Sequence, residues 1–279
     1  MPPTPSLRAE ALAVLCIADP ADKLARTHAL WARWRALGAH DAAAWDTATP
    51  LQPTPSVPLP GRPERPVLVP PGEVPQRSPF TREGLAALLH AIAHIEFNAI
   101  HLALDAVWRF AGMPVDFYRQ WLQVAHEEAT HFGLLNDHLT SLGFAYGDCL
   151  AHNGLWEMCV KTQHDVTARM ALVPRTLEAR GLDVTPGMIE IFRKAGEQQA
   201  IDALEVIYAE EVGHVAYGSK WFNWLCGRDG EDPKEVFHTL VRKYFHGSLK
   251  PPFNVEKRAE AGLPPDFYWP LADDNDQEP

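Results

Sequence analysis

The sequence predicts an all-α protein: a four-helix bundle with an N-terminal helical appendage, a proline-rich strap and a wrapping C-terminal tail. Three observations predict it. Apolar residues recur at helical spacing through several long stretches of the 279-residue chain. Glycine and proline punctuate those stretches where helices would start or stop. Two stretches, VAHEEATHFGL at 124–134 and VIYAEEVGHVAYG at 206–218, each carry Glu-x-x-His. Side chains three apart share a helix face, so each motif offers a carboxylate and an imidazole to one point.

The elements follow in order. Residues 6–16 carry a helical apolar pattern, with Ser6 as N-cap. Residues 22–37 form a second helix, with Leu24, Leu30, Trp31 and Trp34 on one side and Gly38 as its stop. This pair, within residues 1–48, is the appendage; its tryptophan face is expected to pack on the bundle, a partner being the other option. The strap spans 49–80, where proline forbids helix, and Val67, Leu68 and Val69 are its expected apolar anchors. Reading it as an extended ligand for an aromatic groove is the alternative.

The bundle is expected over 81–227. A helix starts at Thr81 and runs to about Phe110, with Leu85, Leu88, Leu89, Ile92, Ile95, Ala99, Leu102 and Ala106 as its stripe; Gly112 and Pro114 end it. The next runs from Phe117 to Leu142, followed by an irregular link to Gly154. A third covers about 155–180, interrupted by Pro174 and closed by Gly181, and a short helix restarts at Thr185 and reaches Ala195. After a bend at Gly196, the fourth covers about 198–226. In 228–279 one further helix, about 232–245, precedes a Pro- and aromatic-rich tail that wraps the bundle, and the last seven residues, DDNDQEP, are expected to be disordered.

Composition narrows the function. The chain is 46% hydrophobic and 22% charged, as for an ordinary globular protein. A formal net charge of −11 argues against nucleic acid as an obligatory partner. The N-terminus has no basic start leading into an apolar run, and no apolar stretch reaches the roughly 20 residues of a membrane helix. Four cysteines without C-x-x-C spacing read as reduced thiols in a cytoplasmic protein rather than metal ligands.

The ligands are placed by face. Glu96 lies inside the stripe of its helix, with Ile92 four before it and Ala99 three after. Glu128 has Val124, Ala125, Phe132 and Leu135 on its face, whereas the adjacent Glu127 has Gln120, Gln123 and Thr130. Glu128 therefore points to the core and His131 follows it. Glu211 has Leu204, Ile207, Tyr208 and Val215 around it, with His214 three later and Glu210 as the less suited neighbour. The third helix must supply one acid; Glu178 is the candidate, with Glu157 and Asp165 as rivals. Glu96 to Glu128 is 32 residues and Glu178 to Glu211 is 33, as two matched helix pairs would give. His164 is read as a supporting or core residue. Tyr208 is read as a core aromatic bonding a ligand carboxylate, a redox role being the alternative. Two Glu-x-x-His pairs plus one Glu from each of two further helices is the ligand set of ferritin-like di-iron or di-manganese bundles. Such hard oxygen donors with two imidazoles suit iron or manganese, and two divalent cations would cancel the repulsion among four acids.

The segments HIEFNAIHLALDAVWRF, HEEATHF, WEMCVKTQHDVTARMALVPRTLEARGLDVTPGM and AEEVGHVAYGSKWFNWLC resemble the DUF455 group of bacterial ferritin-like proteins. The resemblance covers most of the chain, strap and tail included. It implies a di-metal bundle with Glu96, Glu128, His131, Glu178, Glu211 and His214 as ligands, and Glu178 rests mainly on it. The group is similar, at fold level, to the tRNA-modifying di-iron hydroxylases of the MiaE type. The expected function is an O2-dependent oxidoreductase or hydroxylase acting on a small molecule. The alternatives are metal handling or peroxide scavenging without an organic substrate, and a non-catalytic binding module. The aromatic-rich N-terminal helices are the basis for expecting a homodimer.

Overall fold

A computed structural model of the chain describes residues 6–37 and 57–272. The first quarter of the strap (residues 49–56), the predicted stop Gly38 and the tail expected to be disordered lie outside the described residues. Every regular element among the described residues is helical, apart from two isolated parallel bridges. The chain divides into two compact units, residues 1–156 and 157–279.

The first unit contains α1 (Leu7–Leu15), α2 (Pro20–Leu37), α3 (Arg82–Arg109) and α4 (Val115–Ser141). Ser6 caps α1 as predicted, accepting from the Ala9 amide. Helix α2 starts two residues earlier than predicted, because the Asp19 carboxylate takes the Asp22 amide at 2.8 Å and Pro20 presets the first turn. Thr81 caps α3 through the Gly84 amide at 3.1 Å. The turn into α4 is closed by Tyr118, whose hydroxyl donates to the Phe110 carbonyl (2.7 Å) and accepts from the Met113 amide (3.0 Å). A connection this short makes α3 and α4 antiparallel neighbours, and they pack along their length. α1 and α2 pack on α3 and α4 respectively. Fully buried Phe97, Ile100, Leu104, Leu122 and Leu135 anchor this pairing, each contributing about 1.5–3 kcal/mol by burial.

Two expectations fail here. Ile95, placed in the apolar stripe, is 46% exposed, because the buried arc of α3 is centred on Glu96, Phe97 and Ala93. Helix α3 is also long and apolar enough by length and composition to cross a membrane, contrary to the sequence reading; 78% of its apolar window is nevertheless buried inside the protein, as in a core helix.

The described part of the strap is held largely through its backbone, and of the predicted anchors Leu68 and Val69 are half-buried. Val67 is exposed. Its carbonyl instead accepts from the Ala151 amide (3.1 Å), and the Val69 amide donates to the Ala151 carbonyl (2.9 Å). Further back, the Gly61 amide donates to the Leu15 carbonyl at 2.9 Å. A Cβ on Gly61 would stand 2.2 Å from the Cys16 carbonyl oxygen, so only glycine allows this approach.

Lys23 ties the strap to α2 and α3. Its buried Nζ lies 2.7 Å from the Gly61 carbonyl and 2.5 Å from His101 Nε2, above the Phe97 ring. Burial, and then the Arg62 charge, lower its pKa to about 7, with Cys16 opposing. Above pH 7 the folded protein therefore binds fewer protons than the unfolded chain, and stability rises with pH. Below about pH 7 both states carry the charge and this dependence levels off. Urea denaturation between pH 7 and 8.5 is expected to show a rise of up to ~1.4 kcal/mol per pH unit that Lys23→Met removes. That window avoids the opposing effect of Cys16, whose pKa burial raises above its ordinary value near 9.

Helix α5 (Gly154–Lys161) spans the unit boundary in sequence. The second unit contains α6 (Val166–Leu172), a π-turn (Val173–Glu178), α7 (Ala179–Ala195), α8 (Gln198–Asp229), α9 (Pro233–Tyr244), α10 (Val255–Glu260) and α11 (Pro265–Tyr268). The predicted third helix is thus several pieces. Asp165 caps α6 by accepting from the Thr167 and Ala168 amides, which separates α5 from α6. Pro174 lacks an amide proton, and the chain widens into the π-turn there; the Thr176 hydroxyl bonds the Ala171 carbonyl five residues back at 2.9 Å. Gly181 does not end a helix, and Pro186 lies inside α7 instead of starting a new one. The Leu182 carbonyl, which Pro186 cannot serve, accepts from Asn254 Nδ2 at 3.2 Å. Helix α8 runs past Gly227 to Gly230, whose φ of 72° makes the left-handed stop.

The tail is pinned on α7. The Arg258 guanidinium donates to Asp183 through Nε (2.8 Å) and a terminal nitrogen (2.7 Å), and lies 4.6 Å from the Tyr268 ring centroid. The π-turn is pinned by Arg175, buried among Phe222, Phe237 and Phe267 with ring centroids at 4.4, 4.9 and 4.4 Å. Burial lowers its pKa to about 9.

Candidate metal centre

In the first unit three of the predicted ligands converge. Glu96, on the buried arc of α3, is 4% exposed; Glu128 and His131 on α4 are fully buried. His131 Nδ1 lies 3.1 Å from Glu96 Oε2 and 3.3 Å from Glu128 Oε2. One ligand atom from each of the three lies within 4.8 Å of the others. Two donors each about 2.0–2.5 Å from a common ion stand at most about 4–5 Å apart, so the spacing fits a shared cation. The donor set fits too. Two carboxylates brought together in the interior repel, and a cation offsets both that repulsion and their lost hydration. This cluster of buried Glu and His can hold a metal ion.

In the second unit the other Glu-x-x-His pair is also turned inward. Glu211 is 8% exposed, His214 is fully buried, and His214 Nδ1 lies 3.4 Å from Glu211 Oε1. Glu178 is half-buried at the last position of the π-turn.

The family described as "Protein of unknown function (DUF455)" matches residues 16–269. The chain belongs to that family. A relative in Haemophilus influenzae, described as an uncharacterized protein, is 49% identical over 208 residues, 72% of this chain and 72% of the relative. No solved structure matches. The DUF455 match includes Glu96, Glu128, His131, Glu178, Glu211 and His214.

Other residues of this DUF455 chain sit differently from their expected places. Among the rivals to Glu178, Glu157 is exposed and Asp165 is occupied as a helix cap. His164, expected as a supporting or core residue, is exposed, with Nε2 3.2 Å from the Tyr244 hydroxyl. The Tyr208 hydroxyl accepts from Asn254 Nδ2 at 2.7 Å; its partner is an amide from the tail rather than the expected carboxylate. Glu127 is half-buried and accepts from Gln123 at 2.8 Å, as its polar face implied.

Sequence reasoning missed a buried polar run on α3: His90, His94, Asn98 and His101. Their spacing keeps them near one side of a helix and was visible in the sequence. His94 Nδ1 pairs with the Tyr146 hydroxyl at 2.9 Å, and His90 Nε2 accepts from the Gly147 amide at 2.9 Å. They dock the link after α4. Burial lowers the pKa of both imidazoles to about 4, so they are neutral at physiological pH.

Proposed function

We propose that this protein is a ferritin-like di-metal carboxylate protein and an O2-dependent oxidoreductase acting on a small molecule. In this reading Glu211, His214 and Glu178 complete, with Glu96, Glu128 and His131, a site for two iron or manganese ions. The convergence of Glu96, Glu128 and His131 in the interior is the observation that carries it. The inward-turned Glu211 and His214 repeat the same pair on a second long helix, as a two-metal bundle requires. A redox-active metal pair supplies activation of O2 or peroxide. The protein's own part is positional: α3 and α4 fix two carboxylates and an imidazole, and their burial excludes bulk water.

The test is metal analysis of protein purified without chelators, then O2 added to the ferrous form with absorbance followed. Close to two equivalents of metal and an O2-dependent absorbance change are expected. Glu128→Ala combined with Glu211→Ala should abolish iron and manganese uptake while far-ultraviolet circular dichroism stays helical. Iron or manganese retained in that double variant would overturn the ligand assignment. Ferrous protein inert to O2 but reactive with peroxide would favour peroxide scavenging over oxygenation.

A further inference from the structure

The first unit contains a second place where metal-binding groups face each other. His28 on α2 and His126 on α4 bring their Nδ1 atoms to 2.6 Å. Their rings are nearly perpendicular, at 82°, and both side chains are half-buried. Trp31, one turn along α2, lies over the His126 ring with an interplanar angle of 25° and centroids 5.9 Å apart. The two imidazoles thus come from different helices that pack on each other, and they meet edge to edge at a partly open rim.

We propose that His28 and His126 form a binding site for a tetragonal divalent cation, Cu(II) or Ni(II), distinct from the Glu96, Glu128 and His131 cluster. Imidazole nitrogen is a good donor to these ions, and tetragonal geometry is their preference. With metal–nitrogen bonds of about 2.0 Å, adjacent donors at a right angle stand ~2.8 Å apart, whereas a tetrahedral zinc sets them ~3.3 Å apart. The observed spacing of 2.6 Å is nearer to the first arrangement, and each ring must also turn so that its lone pair points at the ion instead of at its neighbour. Without an ion, one of the two nitrogens must carry the proton shared between them. A cation replaces that proton and uses a lone pair from each ring. The two histidines fill two neighbouring positions around the ion, and water fills the others. Because one ligand is on α2 and the other on α4, the bound ion clasps the N-terminal helix pair to the α3–α4 pair.

The test is a Cu(II) titration of the full chain, read by electron paramagnetic resonance and by thermal unfolding. Wild-type protein is expected to bind one equivalent with coupling to two nitrogens and to gain thermal stability. His28→Gln and His126→Gln should each weaken that equivalent at least tenfold and remove the gain. Glu128→Ala should keep it within about twofold, which separates this site from the buried cluster. Wild-type affinity in both His variants, or a spectrum without coupling to two nitrogens, would overturn the proposal and leave only adventitious binding elsewhere.

Discussion

Asp183→Ala is expected to lower stability by about 3–5 kcal/mol. The side chain of Asp183 is fully buried and that of Arg258 is 3% exposed. Removing the carboxylate leaves the guanidinium in the interior with its charge uncompensated. The same carboxylate accepts from the Asn254 amide at 2.9 Å, so the tail loses its backbone anchor as well. Asn254 in turn serves the Leu182 carbonyl left open by Pro186 and the Tyr208 hydroxyl. Denaturant midpoints measure the loss. A double variant with Arg258→Met should recover part of it, since an apolar side chain of similar length removes the stranded charge.

Gly218→Ala is the second large effect. A Cβ at that position would lie 2.4 Å from both Cβ and Cγ of Pro174, a rigid ring that cannot swing aside. Either α8 or the π-turn must shift, at a cost of about 2–3 kcal/mol. Gly227 on the same helix gives the contrast: an added Cβ there meets nothing within 4 Å and the residue is exposed. Gly227→Ala should stabilise by about 0.5–1 kcal/mol, because alanine loses less backbone freedom on folding. Thermal unfolding of the two variants should therefore move in opposite directions. Gly218 sits one turn beyond His214, and Glu178 ends the π-turn that contains Pro174. A displaced π-turn should accordingly also weaken any metal bound through these residues.

What the sequence disclosed follows the range of the physics involved. Helix caps act over three or four residues, and Ser6 as a cap and Thr81 as a helix start were readable because their effect is local. The preference for Glu128 over Glu127 was also readable, since the apolar residues of α4 alone define which face is buried. Proline and glycine misled where a distant partner decides the outcome. Pro186 reads as a helix start until Asn254, far along the chain, is seen to serve the open carbonyl. The fourth helix was expected to end near Cys226, yet nothing at Gly227 needs a left-handed backbone, and the stop comes at Gly230 instead. The π-turn left only a trace, Pro174 inside a helical run, because its form depends on packing against Gly218 and on the ring of phenylalanines around Arg175. Ile95 and Val67 failed for a related reason: an apolar residue is buried only where a neighbour arrives to cover it.

The most direct test is anomalous X-ray diffraction from crystals of protein loaded with Fe(II) or Mn(II), collected across the matching absorption edge. An anomalous peak is expected within about 2.0–2.5 Å of carboxylate oxygens of Glu96 and Glu128 and of the His131 ring nitrogen. Loaded crystals with no peak there, and with His131 simply hydrogen-bonded to the two acids, would contradict that expectation.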